Sequence, residues 1–284
     1  MHRIDGPTAA PGGLFTEGDP VGGVPATIVS DDWMNDVQEN IIAVLTAAGI
    51  APVKGTYTQL LDALLGRLVG PPQIFTASGT FTPTAGAKIF IVEVQGGGGG
   101  GAGCPATAAA QVSAGGGGAS GSYGKGRFTI ADIGASKAVT IGAGGAGGVG
   151  GADGSPGGAT SFGALMSADG GLGGFTIAAA ASGSAFIAYG GPPGNPATGG
   201  SIINTCGITG GFGYNALGAR GGNGAGSPMA NGGGGAKSSL ISDAVGYAAT
   251  SPGAGGGAPV NGASTAAKNG GAGLAGKVIV WELS

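Results

Sequence analysis

The sequence predicts a mainly β and irregular protein, with an extended N-terminal segment (1–28), a short α-helical oligomerisation region (29–70) and a glycine-rich β-scaffold tip (71–284). Three observations carry that prediction. Of the 71 glycines, all but ten follow residue 70, in runs such as Gly96–Gly101, Gly115–Gly118 and Gly232–Gly235. Apolar positions recur at helical spacing only between Trp33 and Leu68, and short β-branched runs begin at Gln73. The chain is 42% hydrophobic and only 9% charged, which does not fit the low hydrophobicity and high charge of a disordered polymer.

Ordering so many glycines costs roughly 0.5–1 kcal/mol each relative to alanine. Collagen is excluded because glycine does not recur at every third position, as in Ala106–Ala114 and Thr176–Ala181. The composition therefore points to a compact array in which chains without side chains approach closely. Their backbone hydrogen bonds, at a net ~0.5–1.5 kcal/mol each, offset the entropy of ordering.

The chain changes character at Val69-Gly70-Pro71-Pro72. Residues 1–70 hold eight acidic and three basic side chains, and residues 71–284 hold six and eight. A net charge of −3 without a basic stripe argues against nucleic acid as a partner. No run of ~18 apolar residues exists to insert in a membrane, and Met1–Pro7 lacks the apolar core of a signal peptide, so synthesis in a cytoplasm is expected. Cys104 and Cys206, far apart and without a CxxC, predict two free thiols, with a disulfide left open.

Taking the elements in order, Pro7, Pro11, Pro20 and Pro25 keep residues 1–28 extended, with Phe15, Val21 and Val24 in want of a partner surface. Ser30 is placed to cap a helix whose first turn carries Asp31 and Asp32 and whose apolar face is Trp33, Val37, Ile41, Val44, Leu45 and Ala48, ending at Gly49. A second helix starts near Thr56 or Thr58 and aligns Tyr57, Leu60, Leu61, Leu64, Leu65 and Leu68. So little chain cannot bury two such faces. Self-association as a homotrimer through Trp33, Val37, Ile41, Val44, Leu45, Leu61 and Leu64 is expected, against the alternative of a hairpin packed on the glycine-rich part. Strands are expected at 73–76 and 79–82 around an Ala77-Ser78 turn, and at 89–94, 127–130, 138–141 and 277–281. The last of these should pair far back along the chain to close the scaffold.

The order of motifs resembles a known family. Arg3-Ile4-Asp5-Gly6-Pro7, Phe15-Thr16-Glu17-Gly18-Asp19-Pro20, Gly23-Val24-Pro25-Ala26-Thr27 and Asp31-Asp32-Trp33-Met34-Asn35, followed by Val37-Gln38-Glu39, look like the N-terminal segment of tailed-phage and prophage tail fibre proteins. Residues 74–101, Gly157-Gly158-Ala159-Thr160-Ser161-Phe162-Gly163 and Gly276-Lys277-Val278-Ile279-Val280-Trp281-Glu282 are similar to the glycine-rich domain at the tips of such fibres. The resemblance implies a virion location, attachment of the N-terminus to a phage tail or baseplate protein, a trimeric fibre and a distal domain that binds a bacterial cell-surface receptor. It also implies glycine segments packed as polyglycine-II helices joined by interchain hydrogen bonds. The long shaft of such fibres has no counterpart between the helices and the tip.

Catalytic chemistry is poorly provided for. His2 is the only histidine and sits in a terminus expected to be mobile, so no Ser-His-Asp or Cys-His arrangement can form in the body of the chain. A glycosidase needs two carboxylates ~5–9.5 Å apart, and the candidates after residue 70 (Glu93, Asp132, Asp153, Asp169, Asp243 and Glu282) share no local motif. Asp132 and Asp153 read as turn-holding residues. Asn231–Ser238 imitates a phosphate-binding loop, but Ala236 and Asn231 stand where that motif needs glycine. No cofactor or metal site is expected, and the chain is expected not to be an enzyme.

Recognition chemistry is better represented. Between Phe175 and Tyr247 isolated aromatic and amide groups punctuate the glycine stretches, among them Phe212 and Asn223. The candidate receptor contacts are Tyr189, Asn195, Asn204, Tyr214, Asn215 and Arg220, on loops that should gather at one end of the packed segments. Phe162, Phe175 and Phe186 are expected to plug the spaces between them. A structural spacer without receptor affinity is the first alternative, and a surface-polysaccharide depolymerase the second.

Overall fold

The computed structural model describes residues 2–68, 71–215, 218–229 and 244–283, and the side chains of 65–68 lie outside that description. The Gly232–Gly235 tract, Asn231, Ala236 and Asp243 are outside the described residues. The chain forms two units, residues 1–70 with 283–284, and residues 71–282. It is mainly β and irregular, with short helices and open sheets. Among the described residues no helix is long and apolar enough to cross a membrane.

In the first unit, helix α1 (Asp31–Ala47) begins where Ser30 Oγ accepts a hydrogen bond from the Trp33 amide at 3.3 Å. It ends before Gly49, whose φ of +72° lets the chain turn out of the helix. Helix α2 spans Gln59–Leu68, with Thr58 just ahead of it bonded to Asp62. The N-terminal segment folds back in two tight turns bridged at Ala10–Leu14 and Asp19–Val24. It docks rather than staying loose, because Ile4 is buried and Phe15 meets Trp33 edge-on at 5.1 Å. His2 is likewise held, contrary to the expected mobile terminus, with Nδ1 2.7 Å from Asp36 Oδ2 and Nε2 3.5 Å from Asp5.

The second unit combines a β-scaffold with a glycine array. The scaffold contains a five-stranded sheet in the order Gln73–Phe75, Lys277–Leu283, Ile89–Gln95, Tyr123–Thr129, Ile203–Thr205. A four-stranded sheet follows the order Gly79–Phe81, Lys137–Thr140, Thr160–Phe162, Met166–Ala168. The C-terminal strand does pair far back, with Gln73–Phe75. The two early strands do not form a hairpin, since Gly79–Phe81 pairs with Lys137–Thr140 in the other sheet. Strand alternation sets the core: Phe90, Val92 and Val94 from one strand and Val278 and Val280 from another pack with Phe81, Phe128, Val139, Phe162 and Met166. On the opposite face Glu93 and Lys125, directly across the ladder, form an ion pair at 2.9 Å.

From Gln95 onward the backbone abandons pleated pairing for a threefold pattern. Along 96–104, successive amides donate to three different neighbours and return to the first after three residues. Gly96, Gly99 and Ala102 donate to Ser122, Ala119 and Gly116; Gly97, Gly100 and Gly103 to Gly158, Ser155 and Ala152; and Gly98, Gly101 and Cys104 to Leu274, Gly271 and Lys268. All nine bonds measure 2.8–3.0 Å. The carbonyls repeat the rule, with Gly97 and Gly100 accepting from Gly171 and Gly174, Gly98 and Gly101 from Gly145 and Gly148, and Gly99 from Gly256. Three residues per turn without internal hydrogen bonds is the threefold extended helix, so 96–104 is a polyglycine-II column with six neighbours.

Those neighbours also bond to one another in a closed ring. Going round it, 116–122 joins 169–175 (Ala119 N to Leu172 O), which joins 152–158 (Gly157 N to Gly171 O), then 142–148 (Ser155 N to Ala146 O). The ring continues to 268–276 (Gly273 N to Gly145 O), to 253–258 (Leu274 N to Ala254 O), and back to 116–122 (Gly118 N to Gly256 O). A second ring surrounds 115–122, completed by 189–194, 207–211 and 221–225. Around 96–104 and 115–122 the hexagonal array is built within one chain: the returning columns supply all six neighbours of each.

Candidate functional site

Because the columns run alternately up and down, their connections fall at two ends. At one end Gln95, Ser122, Gly142 and Gly276 lead directly into or out of scaffold strands. Gln95 is fully buried there, and its amide donates to the carbonyls of Gly121 (2.8 Å) and Ser122 (3.1 Å). Sequence reasoning missed this junction residue, because a glutamine closing a strand gives no sign that it will meet a neighbouring column. At the other end lie the connections 105–114, 149–151, 176–188 and 259–267, together with 212–215 and 218–220. At ~3.1 Å per residue in such a helix, the six steps from Gly116 to Ser122 set the two ends about 19 Å apart.

The sequence-predicted contacts divide between these ends. Tyr189, Tyr214, Asn215 and Arg220 come together at the loop end, around a three-stranded sheet of Phe186–Ala188, Gly213–Asn215 and Ala219–Arg220. Ile187 lies opposite Tyr214, which lies opposite Arg220. Arg220 donates to the Tyr214 hydroxyl at 3.2 Å. Tyr189 is 62% exposed and meets the half-exposed Phe212 ring edge-on at 5.8 Å. Asn195 and Asn204 belong to the scaffold end. Asn195 bonds Asp169 (3.0 Å), while Asn204 closes a loop by exchanging two bonds with the Gly200 backbone (2.7 and 3.0 Å).

Asn215 is not a solvent-facing amide. It is 4% exposed and donates to the carbonyls of Ser182 (3.1 Å) and Ser184 (2.8 Å), tying the 182–184 turn to the sheet. Strand alternation is the reason: two consecutive strand residues point to opposite faces, so Tyr214 and Asn215 cannot both face solvent. The same alternation turns Ile187 outward to 53% exposure, a candidate absent from the sequence reading. Of the expected plugging phenylalanines, Phe162 is fully buried, Phe186 is half-buried and Phe175 remains 42% exposed.

Two of the hollows among the described residues open at this end. One, of about 120 Å³, is lined by Gly211, Phe212, Tyr214, Arg220, Gly221 and Asn223. The other, of about 370 Å³ and apolar, lies between Ala185, Phe186, Ile187, Tyr214 and Asn215. A third, of about 310 Å³, belongs to the first unit and follows α1 along Met34, Val37, Gln38 and Ile41.

The described carboxylates of the second unit have structural partners. Asp132 accepts from the amide and hydroxyl of Thr129 at 2.8 Å each, and these bonds hold its carboxyl below the usual carboxylate range. Asp153 accepts from the Thr176 amide at 2.7 Å, and Glu282 accepts from Thr84 and Gln73. Both cysteines are free; Cys104 is buried and donates to Pro259 O at 3.0 Å, whereas Cys206 is exposed. In the first unit Ile41, Leu61 and Leu64 are exposed, Trp33, Val37 and Val44 are half-buried and Leu45 is buried.

The array and its scaffold together define a glycine-rich domain fold. The chain belongs to the glycine-rich domain family, whose model matches residues 76–281. It is also similar to the uncharacterized protein StfP of Escherichia coli (strain K12), at 41% identity over 75 residues, which covers 24% of this chain and 36% of StfP. The chain thus matches about a third of that relative's length.

Proposed function

We propose that the protein is a non-enzymatic phage tail fibre component whose glycine-rich unit carries a receptor-binding face at its loop end. The observation that carries this reading is the polarity of the array. Chain entry at Gln73 and the strand Lys277–Leu283 both lie in the scaffold, while the exposed aromatic residues Tyr189 and Phe212 sit at the far end of the columns. A stiff, low-charge block anchored at one end and carrying adaptable side chains at the other suits adhesion. Binding residues are characteristically carried on loops held by a rigid scaffold.

In this reading residues 1–28 attach to a tail or baseplate protein, and residues 31–68 gather three copies through Met34, Ile41, Leu61 and Leu64, which are exposed in the single chain. The tail-fibre motifs of the N-terminal segment support the virion assignment. The engagement of Glu93, Asp132, Asp153, Asp169 and Glu282 in structural bonds favours binding over hydrolysis. Purified protein added to a bacterial host should block adsorption of virions carrying this fibre. A passive spacer would leave adsorption untouched, and release of reducing ends from host polysaccharide would identify a depolymerase.

A further inference from the structure

We infer that the hollow between Phe212 and Arg220 is a saccharide subsite that takes one pyranose ring of a bacterial surface glycan. This deepens the adhesin reading and rests on it. A pyranose presents an apolar face of C–H groups and a rim of hydroxyls that both donate and accept. A complementary site therefore needs an aromatic wall beside a few groups of mixed hydrogen-bonding character.

The hollow has those parts. Phe212 supplies the wall; it is 54% exposed, and its edge-on contact with Tyr189 fixes the ring in place before any ligand arrives. The Tyr214 hydroxyl accepts from Arg220 at 3.2 Å, which orients it and leaves its own O–H to donate. Asn223, exposed at the rim, makes no side-chain hydrogen bond among the described residues and offers both a donor and an acceptor. Gly211 and Gly221 complete the lining with bare backbone, each packed so closely on a neighbouring column that a Cβ would meet the Asn223 amide or the Ala258 carbonyl. At about 120 Å³ the hollow suits one ring of a chain rather than a chain laid lengthwise. Among the described residues no carboxylate lines it, which leaves it open to the acidic sugars common on cell surfaces. The adjoining apolar hollow shares Tyr214 with it and gives the rest of the glycan, or a lipid-linked portion, a surface to lie on.

The test uses the full chain on a printed array of bacterial capsular polysaccharides and lipopolysaccharides, with cell binding measured in parallel on a panel of strains. Binding to a subset of glycans is expected, weakened about tenfold (~1.4 kcal/mol) by Phe212→Ala or Asn223→Ala. Ile208→Ala, an exposed change away from the hollow, should have no effect. If Phe212→Ala lowers the melting temperature, Phe212→Leu keeps apolar bulk while removing the ring face, and it should still lose affinity. A chain that binds cells equally well before and after periodate oxidation of their glycans, and that leaves the array blank, would overturn the subsite while sparing the adhesin reading. Binding to neither cells nor glycans would overturn both.

Discussion

Gly98 lies against Ala254 so closely that a Cβ on Gly98 would stand well inside 3.0 Å of the Ala254 carbonyl oxygen. The contact repeats along the column with period three. Gly96 and Gly99 face Asp169 and Leu172, Gly97 and Gly100 face Ala143 and Ala146, and Gly98 and Gly101 face Ala254 and Gly257. Each turn thus points three successive α-carbons at three neighbouring backbones. The run Gly96–Gly101 is glycine throughout because none of its positions faces open space.

Asn215→Ala should destabilise the second unit by about 1–3 kcal/mol, because it leaves the carbonyls of Ser182 and Ser184 without their donor. Tyr189→Ala, at an exposed position, should leave the melting temperature within experimental error and weaken cell adsorption. Thermal melts of the two variants side by side check the distinction.

The helices and principal strands were legible because their signals are carried by side chains: a capping serine, apolar residues at helical spacing, β-branched runs. Ser30 and Ile89–Gln95 stand where those signals put them. The partners of each column were not legible. A glycine column pairs through its backbone alone, so nothing in Gly96–Gly101 names 152–158 or 268–276 as neighbours. Within the site, Tyr189 was readable as a solvent-facing aromatic in a glycine-rich loop, whereas phenylalanines read as plugs between packed segments, so the exposure of Phe212 was not. The opposite fates of Tyr214 and Asn215 required knowing that 213–215 is a strand.

Burial pushes the Cys104 thiol up to about 12, so at neutral pH it is neither exposed nor ionised. One thiol per chain, that of Cys206, should react with a disulfide reagent in the native protein, and two after denaturation. Rapid reaction of both in the native state would contradict the closed packing around Pro259.

His2 should titrate above its ordinary value of 6.5, chiefly through its hydrogen bond to Asp36 and further through the nearby Asp5. The sign follows: the pairing is complete below the ordinary histidine pKa and is lost as pH rises through the raised value, while Asp36, held low by His2, gives it up in acid. An NMR titration of the imidazole should show the raised midpoint, and Asp36→Asn should bring it down.

Ile41→Asp should shift the assembled chain toward monomer by placing a charge on the exposed apolar face of α1. Light scattering at micromolar concentration checks it. A monodisperse wild-type monomer would end the proposal that residues 31–68 gather three copies.

The most direct measurement of the packed array is a pair of thermal melts on two identical substitutions. Gly98→Val drives a side chain into the Ala254 carbonyl, parting columns joined by the Gly256 N–Gly99 O bond and straining the bonds of 96–104 to its other neighbours, and Gly79→Val adds one to an edge strand where a Cβ meets nothing within 4 Å. The array predicts a loss of at least ~3 kcal/mol for Gly98→Val, or a fall of about 10 °C for a unit of this size, with Gly79→Val unchanged or slightly more stable. Equal melting temperatures for wild type and Gly98→Val would mean that the glycine runs are flexible connectors, with no rigid block to hold the loop end in place.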